Sequence, residues 1–326
     1  MALFGLRFDF RNPGFAGTGM GDRYRAALDM VEWAEGLGAV AVVLSEHHGS
    51  PDGYLPSPLP LAAAMAARTT TLRINVAAMI PSFHDPLRLA EDVAVVDLVS
   101  QGRLDLILAN GYVGREFDMF GQPIGRRAQR VSEAVRVLKQ AWTGEPFEYQ
   151  GRTVQVTPMP FQPGGPKISL GGSTEPAARR AARIADGFMP SSGGVWEFYR
   201  DEMVKLGKAD PGPFPGGGTD FVHLDEDPER GWANIAPHAL HESNSYGEWM
   251  AEAGIGATGG YVPAASAEAL RATGQYRVLT PDQMVEELTA AGPFAFVALH
   301  PMMGGIPPEI AWESLRLFER AVLPRL

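Results

Sequence analysis

The sequence predicts an α/β protein built as a single (β/α)8 TIM barrel, with insertions after strands 4 and 7. Three observations lead there. Short apolar runs rich in β-branched residues alternate with longer runs of helical period, the pattern of a parallel sheet covered by helices. The strand-like runs number eight, the count of a closed barrel. An open doubly wound sheet would carry a dinucleotide fingerprint, and the nearest candidate, Gly17-Thr18-Gly19-Met20-Gly21, has the wrong spacing. No repeat of solenoid period interrupts the chain. Residues 1–326 are therefore expected to form one domain, with 211–219 and 254–276 as loop or lid insertions.

Each element has its own signal. Leu3–Phe10 is strand one. Asp22–Leu37 is a helix with Ala26, Met30, Trp33, Ala34 and Leu37 near one face, stopped by Gly38. Ala39–Leu44 is a continuous apolar run, as expected of a strand buried on both faces. Helix Leu59–Thr69, strand Leu72–Ile80, helix Pro86–Ser100 and strand Gly102–Ala109 follow, then helix Arg126–Thr143. Gln150-Gly151 between two alternating stretches marks a hairpin over Phe147–Val156. Ile168–Gly171 is strand five, Glu175–Ala185 a helix, Gly187–Pro190 strand six and Trp196–Gly207 a helix. Pro211–Gly218 is a loop by composition, and Asp220–Leu224 is strand seven. Asp227-Pro228-Glu229 opens a long helix with an N-cap acid and Pro at N1. Gly254–Gln275 is rich in Gly and Ala and has no clear period. Helix Pro281–Ala291, strand Phe294–His300 and helix Pro308–Leu323 complete the chain.

Composition narrows the function classes. With 45% hydrophobic and 20% charged residues the chain is globular. A net charge of -10 removes the bulk attraction for nucleic acid or an anionic membrane. The absence of Cys excludes disulfides, thiolate nucleophiles and Cys-ligated metal. No apolar run is long enough to span a bilayer, and the first residues do not resemble a signal peptide, so a cytoplasmic location is expected.

In a barrel, chemistry belongs at the C-terminal ends of the strands. Glu46-His47-His48 follows the most apolar strand. Either imidazole could serve as a proton donor poised near neutrality, or both could satisfy backbone groups. Gly171-Gly172-Ser173-Thr174 joins strand five to a helix, where Ser173 or Thr174 can cap and free N–H groups can hold an anion. Arg127 and Arg130 could close on that anion or form a solvated face. His238 and His241, beside Glu242, lack a third ligand at metal-binding spacing and fit surface or interface roles better. Asp85 explains His84-Asp85-Pro86 as a helix cap. Met79, Met302 and Met303 fall at strand ends and could line an apolar pocket.

Taken in order, these pieces resemble the bacterial luciferase-like flavin monooxygenases. The resemblance rests on Ser45-Glu46-His47-His48, Pro56-Ser57-Pro58-Leu59, Thr71-Leu72-Arg73-Ile74 and His84-Asp85-Pro86-Leu87-Arg88-Leu89-Ala90-Glu91-Asp92. It continues through Ser100-Gln101-Gly102-Arg103, Gly111-Tyr112, Glu116-Phe117, Phe120-Gly121 and Trp142-Thr143-Gly144-Glu145-Pro146-Phe147. Gly171-Gly172-Ser173, Ala182-Arg183-Ile184-Ala185-Asp186-Gly187 and Pro307–Leu315 extend it over nearly the whole chain.

The resemblance implies reduced FMN in the barrel mouth, with His47 as the catalytic histidine beside it. Ala77-Ala78 falls where such proteins often carry a non-prolyl cis peptide behind the flavin ring. Ser173 matches a phosphate-binding serine, and the long loop after strand seven matches a lid. Glu46, Asn110, Tyr112, Arg130, Gly171, Gly172 and Thr174 join Ala77, Ala78 and Ser173 as expected cofactor contacts. Phe8, Phe10, Met79, His300 and Met302 are expected to line the substrate pocket, with no metal. One departure matters: Asn110 stands where the luciferase α chain has a phosphate-contacting Arg, leaving Ser173, Thr174 and Arg130 to hold the phosphate.

The function implied is a two-component monooxygenase that takes reduced FMN from a separate flavin reductase and oxidises a small, mainly apolar molecule. A hydride transferase using coenzyme F-420 and a non-catalytic flavin-binding subunit are the alternatives. A homodimer is expected through Leu59–Thr69 and Pro86–Ser100, with Ala62, Met65 and Ala66 on one helix and Leu89, Val93 and Val96 on the other. Packing of these faces onto the barrel is the competing expectation.

Overall fold

A computed structural model describes residues 3–214, 216, 221–255, 261, 263–292 and 295–326. The strands are β1 (Leu3–Phe8), β2 (Ala41–Leu44), β3 (Arg73–Met79), β4 (Leu104–Leu108), β5 (Phe147–Tyr149), β6 (Arg152–Val154), β7 (Ile168–Gly172), β8 (Gly187–Pro190), β9 (Phe221–Leu224), β10 (Tyr276–Leu279) and β11 (Phe296–Leu299). The helices are α1 (Met20–Gly36), α2 (Pro58–Arg68), α3 (Pro86–Ser100), α4 (Gly114–Met119), α5 (Arg127–Ala141), α6 (Glu175–Ile184), α7 (Gly193–Lys205), α8 (Pro228–Glu252), α9 (Ala267–Arg271), α10 (Pro281–Ala291) and α11 (Pro308–Leu317).

Seven strands form one parallel sheet in the order β11-β1-β2-β3-β4-β7-β8. Its register runs Gly5↔Ala41, Ala41↔Arg73, Ile74↔Leu104 and Leu106↔Ile168. β9 and β10 form a second parallel pair, and β9 packs against β11. The expected hairpin is present as β5–β6, with Gln150 and Gly151 both at positive φ, as a two-residue turn between twisted strands requires.

Helix starts follow the capping chemistry in the sequence. Asp85 accepts from Leu87 N at 2.9 Å and Arg88 N at 3.3 Å ahead of α3, and Asp227 does the same for α8. Thr280 and Gln283 form a reciprocal capping box on α10. Each helix buries its apolar stripe on the sheet: Ala27, Met30, Val31 and Ala34 of α1, and Val131, Val135 and Leu138 of α5. The same burial removes the residues proposed for a dimer face. Ala62, Met65, Ala66, Leu89, Val93 and Val96 are all interior within one chain. The apolar residues that α3 leaves to solvent are Val95, Leu98 and Val99, at 48, 38 and 44% exposure.

Three elements depart from the expected list. β10 is an additional strand. Its four residues, Tyr-Arg-Val-Leu, are too few for a clear period, and pairing with β9 rather than intrinsic pattern makes them extended. α4 and α9 are single-turn helices within stretches expected to be loop. Residues 217–220 and 256–260, within the expected insertions and the start of strand seven, lie outside the described residues, as do 293–294 at the start of strand eight.

Candidate active site

β1 shows how the barrel sorts its side chains. Alternation sends Phe4, Leu6 and Phe8 outward to the helices, where Phe4 meets Phe318 with ring centroids 5.1 Å apart. It turns Arg7 to the opposite face, and Asp9 and Arg11 follow past the strand end, where Phe10 takes a positive φ of 63°. This cluster of buried polar groups lies at the C-terminal end of β1, the end at which barrels of this kind carry their chemistry.

His47, just past β2, is the centre of the mouth. Its Nδ1 lies 2.8 Å from Glu116 Oε1, and the same oxygen accepts the His48 backbone N–H at 3.0 Å. Glu116 is brought in by α4 and is 1% exposed. Nδ1 is thus engaged by Glu116, and Nε2 is the ring nitrogen left for another partner. Tyr54, Tyr112, Tyr246 and Trp249 ring the imidazole at centroid distances of 4.8, 6.0, 5.9 and 4.6 Å.

His48 turns the other way. Its Nε2 meets Glu46 Oε1 at 2.7 Å, and His84 Nε2 approaches the same oxygen at 3.3 Å. Glu46 Oε2 accepts Ile80 N–H at 2.9 Å, which fixes the loop that follows β3. Burial opposes ionisation of Glu46, but its hydrogen bonds to His48 and His84 outweigh that and hold its carboxyl below the usual range. Glu46 thus positions the strand ends.

The β1 side of the mouth is packed. Arg11 is fully buried, paired with Asp52 at 2.5 Å, and lies over the rings of Tyr54, Tyr246 and Trp249 at 4.9, 4.9 and 4.6 Å. His241 Nε2 reaches the same Asp52 oxygen at 2.7 Å. Beside them Asp9, Glu242 and His300 bring ligand-type atoms within 4.8 Å of one another. Burial and the neighbouring Asp9 charge push Glu242 up to about 7, although Tyr276 donates to it at 2.7 Å. Burial pushes His300 down to about 3, helped by Arg7, Arg11 and Arg23. Those three guanidiniums already balance Asp9, Asp52 and Glu242. A divalent cation would add charge with nothing to compensate it, so the cluster fits a metal poorly.

The β3–β4–β7 side is open. Ala77, Ala78, Asn110, Gly111, Tyr112, Gly171 and Gly172 are all partly exposed, and Ser173 and Thr174 are exposed. The Ala77-Ala78 peptide is cis. A Cβ on Gly172 would stand 2.6 Å from Ala177 Cβ, so only glycine lets α6 start this close to the strand. Thr174 is the N-cap of α6 but makes no side-chain cap bond, which leaves its hydroxyl free. Arg180 of α6 reaches back and donates from Nη2 to Asn110 Oδ1 at 3.0 Å, while its Nε is enclosed and without a partner. Small residues for a flat face, free hydroxyls and an orphaned guanidinium N–H fit a planar ring with an anionic tail.

The structure therefore gathers His47, Glu46, Ala77, Ala78, Asn110, Tyr112, Gly171, Gly172, Ser173 and Thr174 around the strand ends. It does not gather the rest. Arg130 lines a groove with His84, Tyr149 and Gln150, which adjoins the site through the His84 contact to Glu46. Phe10 packs on Tyr24 of α1 at 4.4 Å and Phe8 on Phe10 at 5.7 Å, on the helix side of the sheet. Met79 and Met302 are buried, with the Met302 carbonyl accepting Arg23 Nη2 at 2.9 Å. His300 belongs to the packed side. His238 is not a surface residue: it is buried against the Gly304 carbonyl at 3.2 Å, and burial pushes it down to about 4. Sequence reasoning gave no role to Arg11, Tyr54, Glu116, Arg180, Tyr246 or Trp249. Glu116 alone had a signal, in its Glu-Phe pair after Gly111-Tyr112.

The chain belongs to the luciferase-like monooxygenase family, whose model matches residues 4–298. Among solved structures it is similar to the monooxygenase RslO1 from Streptomyces bottropensis, at 25% identity, TM-score 0.74 and 99% of both chains. It is also similar in fold to the oxygenating constituent of 3,6-diketocamphane monooxygenase from Pseudomonas putida in complex with FMN, at 17% identity, TM-score 0.72, over 99% of this chain and 98% of that one. Among curated sequences it is 27% identical to an F-420-dependent glucose-6-phosphate dehydrogenase of Nocardia farcinica, over 93% of this chain and 94% of that protein. Two further curated relatives are matched over only 42% and 38% of their own lengths. The relatives thus include oxidoreductases that use FMN and others that use F-420. No helix among the described residues is long and apolar enough to cross a membrane.

Proposed function

We propose that the protein is a flavin-dependent monooxygenase that uses reduced FMN, delivered by a separate reductase, to oxidise a small and mainly apolar substrate. The His47–Glu116 pair beside an open cradle of small residues carries this reading. β9 then completes a (β/α)8 ring, with the segments after strands 4 and 7 as its insertions. Ala77 and Ala78 would back the ring, and Gly171, Gly172, Ser173, Thr174 and Asn110 would hold the tail. When bound, the reduced flavin supplies the electrons that activate oxygen. Glu116 holds His47 in one tautomer, so Nε2 faces the mouth ready to accept or return a proton. Tyr54, Tyr246 and Trp249 offer an apolar aromatic wall and exclude water from that nitrogen.

Hydride transfer with coenzyme F-420 is the second reading, favoured by the Nocardia relative. Absorbance titration with FMN and with coenzyme F-420, followed by oxygen uptake with the tighter binder, separates the two. Tight FMN binding and substrate-dependent oxygen uptake support the monooxygenase. Selective F-420 binding without oxygen uptake refutes it. Silence in both turnover assays despite tight FMN binding identifies a non-catalytic flavin-binding subunit. A homodimer in the cytoplasm fits the exposed Val95, Leu98 and Val99 stripe on α3.

A further inference from the structure

The three arginines of α6 are not equivalent. Arg179 pairs with Glu175 at 2.8 Å and with Glu202 at 3.0 Å. Arg183 pairs with Glu202 at 2.6 Å. These two lie four residues apart on one helix face. Arg180, a hundred degrees further round, turns inward and meets no carboxylate among the described residues. Its one polar partner is the Asn110 side-chain oxygen at 3.0 Å, and its enclosed Nε has none. Buried Arg23 and Arg103 also meet no carboxylate among the described residues, but backbone and hydroxyl oxygens give them three and five hydrogen bonds, whereas half-buried Arg180 has one.

Its place in the fold says what it awaits. Asn110 lies two residues past Leu108, which is in register with Leu170, so it stands beside Gly172 at the end of β7. Arg180 sits about 7–8 Å along α6 from the first turn, and helical side chains lean toward the N-terminus. Its guanidinium therefore returns to the strand ends beside Ser173 and Thr174. Asn110 cannot supply a charge itself, but its Oδ1 anchors one that comes from another element.

We propose that Arg180, anchored by Asn110, provides the positive charge for the cofactor's phosphate and makes the site selective for a phosphorylated flavin over an unphosphorylated one. This rests on the flavin reading above. The protein's net negative charge repels a phosphate at long range, so selectivity for it requires a local cation. Arg180 keeps Nη1 for that purpose while Nη2 stays on Asn110.

The test compares FMN and riboflavin by flavin fluorescence quenching with wild type, Arg180→Gln and Arg180→Lys, after matching the variants' circular dichroism to wild type. In Arg180→Gln, FMN affinity falls roughly 10–100-fold, the size of a lost charge-assisted hydrogen bond, while riboflavin affinity stays within about twofold. Arg180→Lys recovers part of the difference. In wild type, rising salt narrows the FMN preference, a measurement that survives even if a variant does not fold. Equal losses for both flavins, an unchanged FMN affinity, or no salt-sensitive preference overturns the proposal. If wild type binds coenzyme F-420 but not FMN, the FMN reading fails alone. The same comparison between coenzyme F-420 and its phosphate-free deazaflavin core then decides the role of Arg180. If wild type binds none of these ligands, both ideas fall.

Discussion

The two halves of the barrel mouth are built from similar residue types to different ends. On the β1–β11 side, Asp9, Arg11, Asp52, Glu242 and His300 are all buried and charges are matched within the protein. On the β3–β4–β7 side, small residues and hydroxyls lie partly open, and a guanidinium is left without a carboxylate. The first is a polar core that holds α8 over the mouth. Single polar atoms lack partners on both sides, Arg11 Nε and Glu242 Oε1 on the first and Arg180 Nε on the second, but on the second Arg180 has no carboxylate at all among the described residues. Charge pairing, more than the presence of polar residues, separates the packed side from the proposed binding site.

Substitutions should respect that division. The largest effect is expected from His47→Ala, which removes the proposed proton-handling group. Turnover should fall roughly 10²–10⁴-fold while FMN affinity changes little. Equal losses in steady-state turnover and in the FMN titration would place His47 in the cradle instead. Glu116→Gln should give a smaller loss with an altered pH profile, because a glutamine can present the wrong group to Nδ1.

Arg11→Ala tests the packed side. It leaves Asp52 buried against His241 with its main cationic partner gone, and stability should drop by about 3–5 kcal/mol. Urea denaturation would measure it, and little change would mean that Arg11 is already unpaired in solution. Gly172→Ala belongs to the cradle. Its new Cβ, 2.6 Å from Ala177 Cβ, should cost about 1–3 kcal/mol and weaken FMN binding together.

The pH dependence sharpens the contrast further. His223 and His238 are pushed down to about 4 and His300 to about 3, each chiefly by burial. The unfolded chain takes up their protons near 6.5 and the folded chain does not, so stability should fall as pH drops from about 6.5 toward 4. Glu242 works in the opposite sense. Its raised value, about 7, means the folded state binds the proton more tightly, a contribution lost as pH rises from the ordinary 4.5 to 7. Three histidines against one carboxyl leave thermal stability rising with pH between 4.5 and 6.5. Glu242→Gln should gain on wild type as pH rises through that window, and a constant gap across it would show that Glu242 titrates normally. The smallest effect is expected from Leu98→Asp on α3, which should leave FMN binding unchanged and shift sedimentation toward monomer. An unaltered sedimentation profile would argue against that face as the dimer contact.

Much of the scaffold was legible because helical and strand periods are local. The caps at Asp85, Asp227 and Thr280 name their helices in the sequence itself. The cis bond at Ala77-Ala78 was legible through resemblance, and the placement of His47 and Ser173 just past strand ends through the alternation of strands and helices. Phe8 and Phe10 misled because aromatic residues at a strand end suggest a pocket, whereas β1 turns its apolar face to α1 and Arg7 to the opposite one. Arg180 and Asn110 are 70 residues apart, and Arg11 meets Tyr246 and Trp249 only through α8. No period or spacing announces such contacts. β10 escaped for a related reason: its extension is imposed by β9.

The most direct measurement is a crystal structure of the protein soaked with FMN. The expected result is the ring against Ala77-Ala78, His47 Nε2 facing it, and the phosphate at Gly172–Thr174. Electron density for FMN on any other surface, with the open side of the mouth empty, would contradict the assignment of that side as the cofactor site.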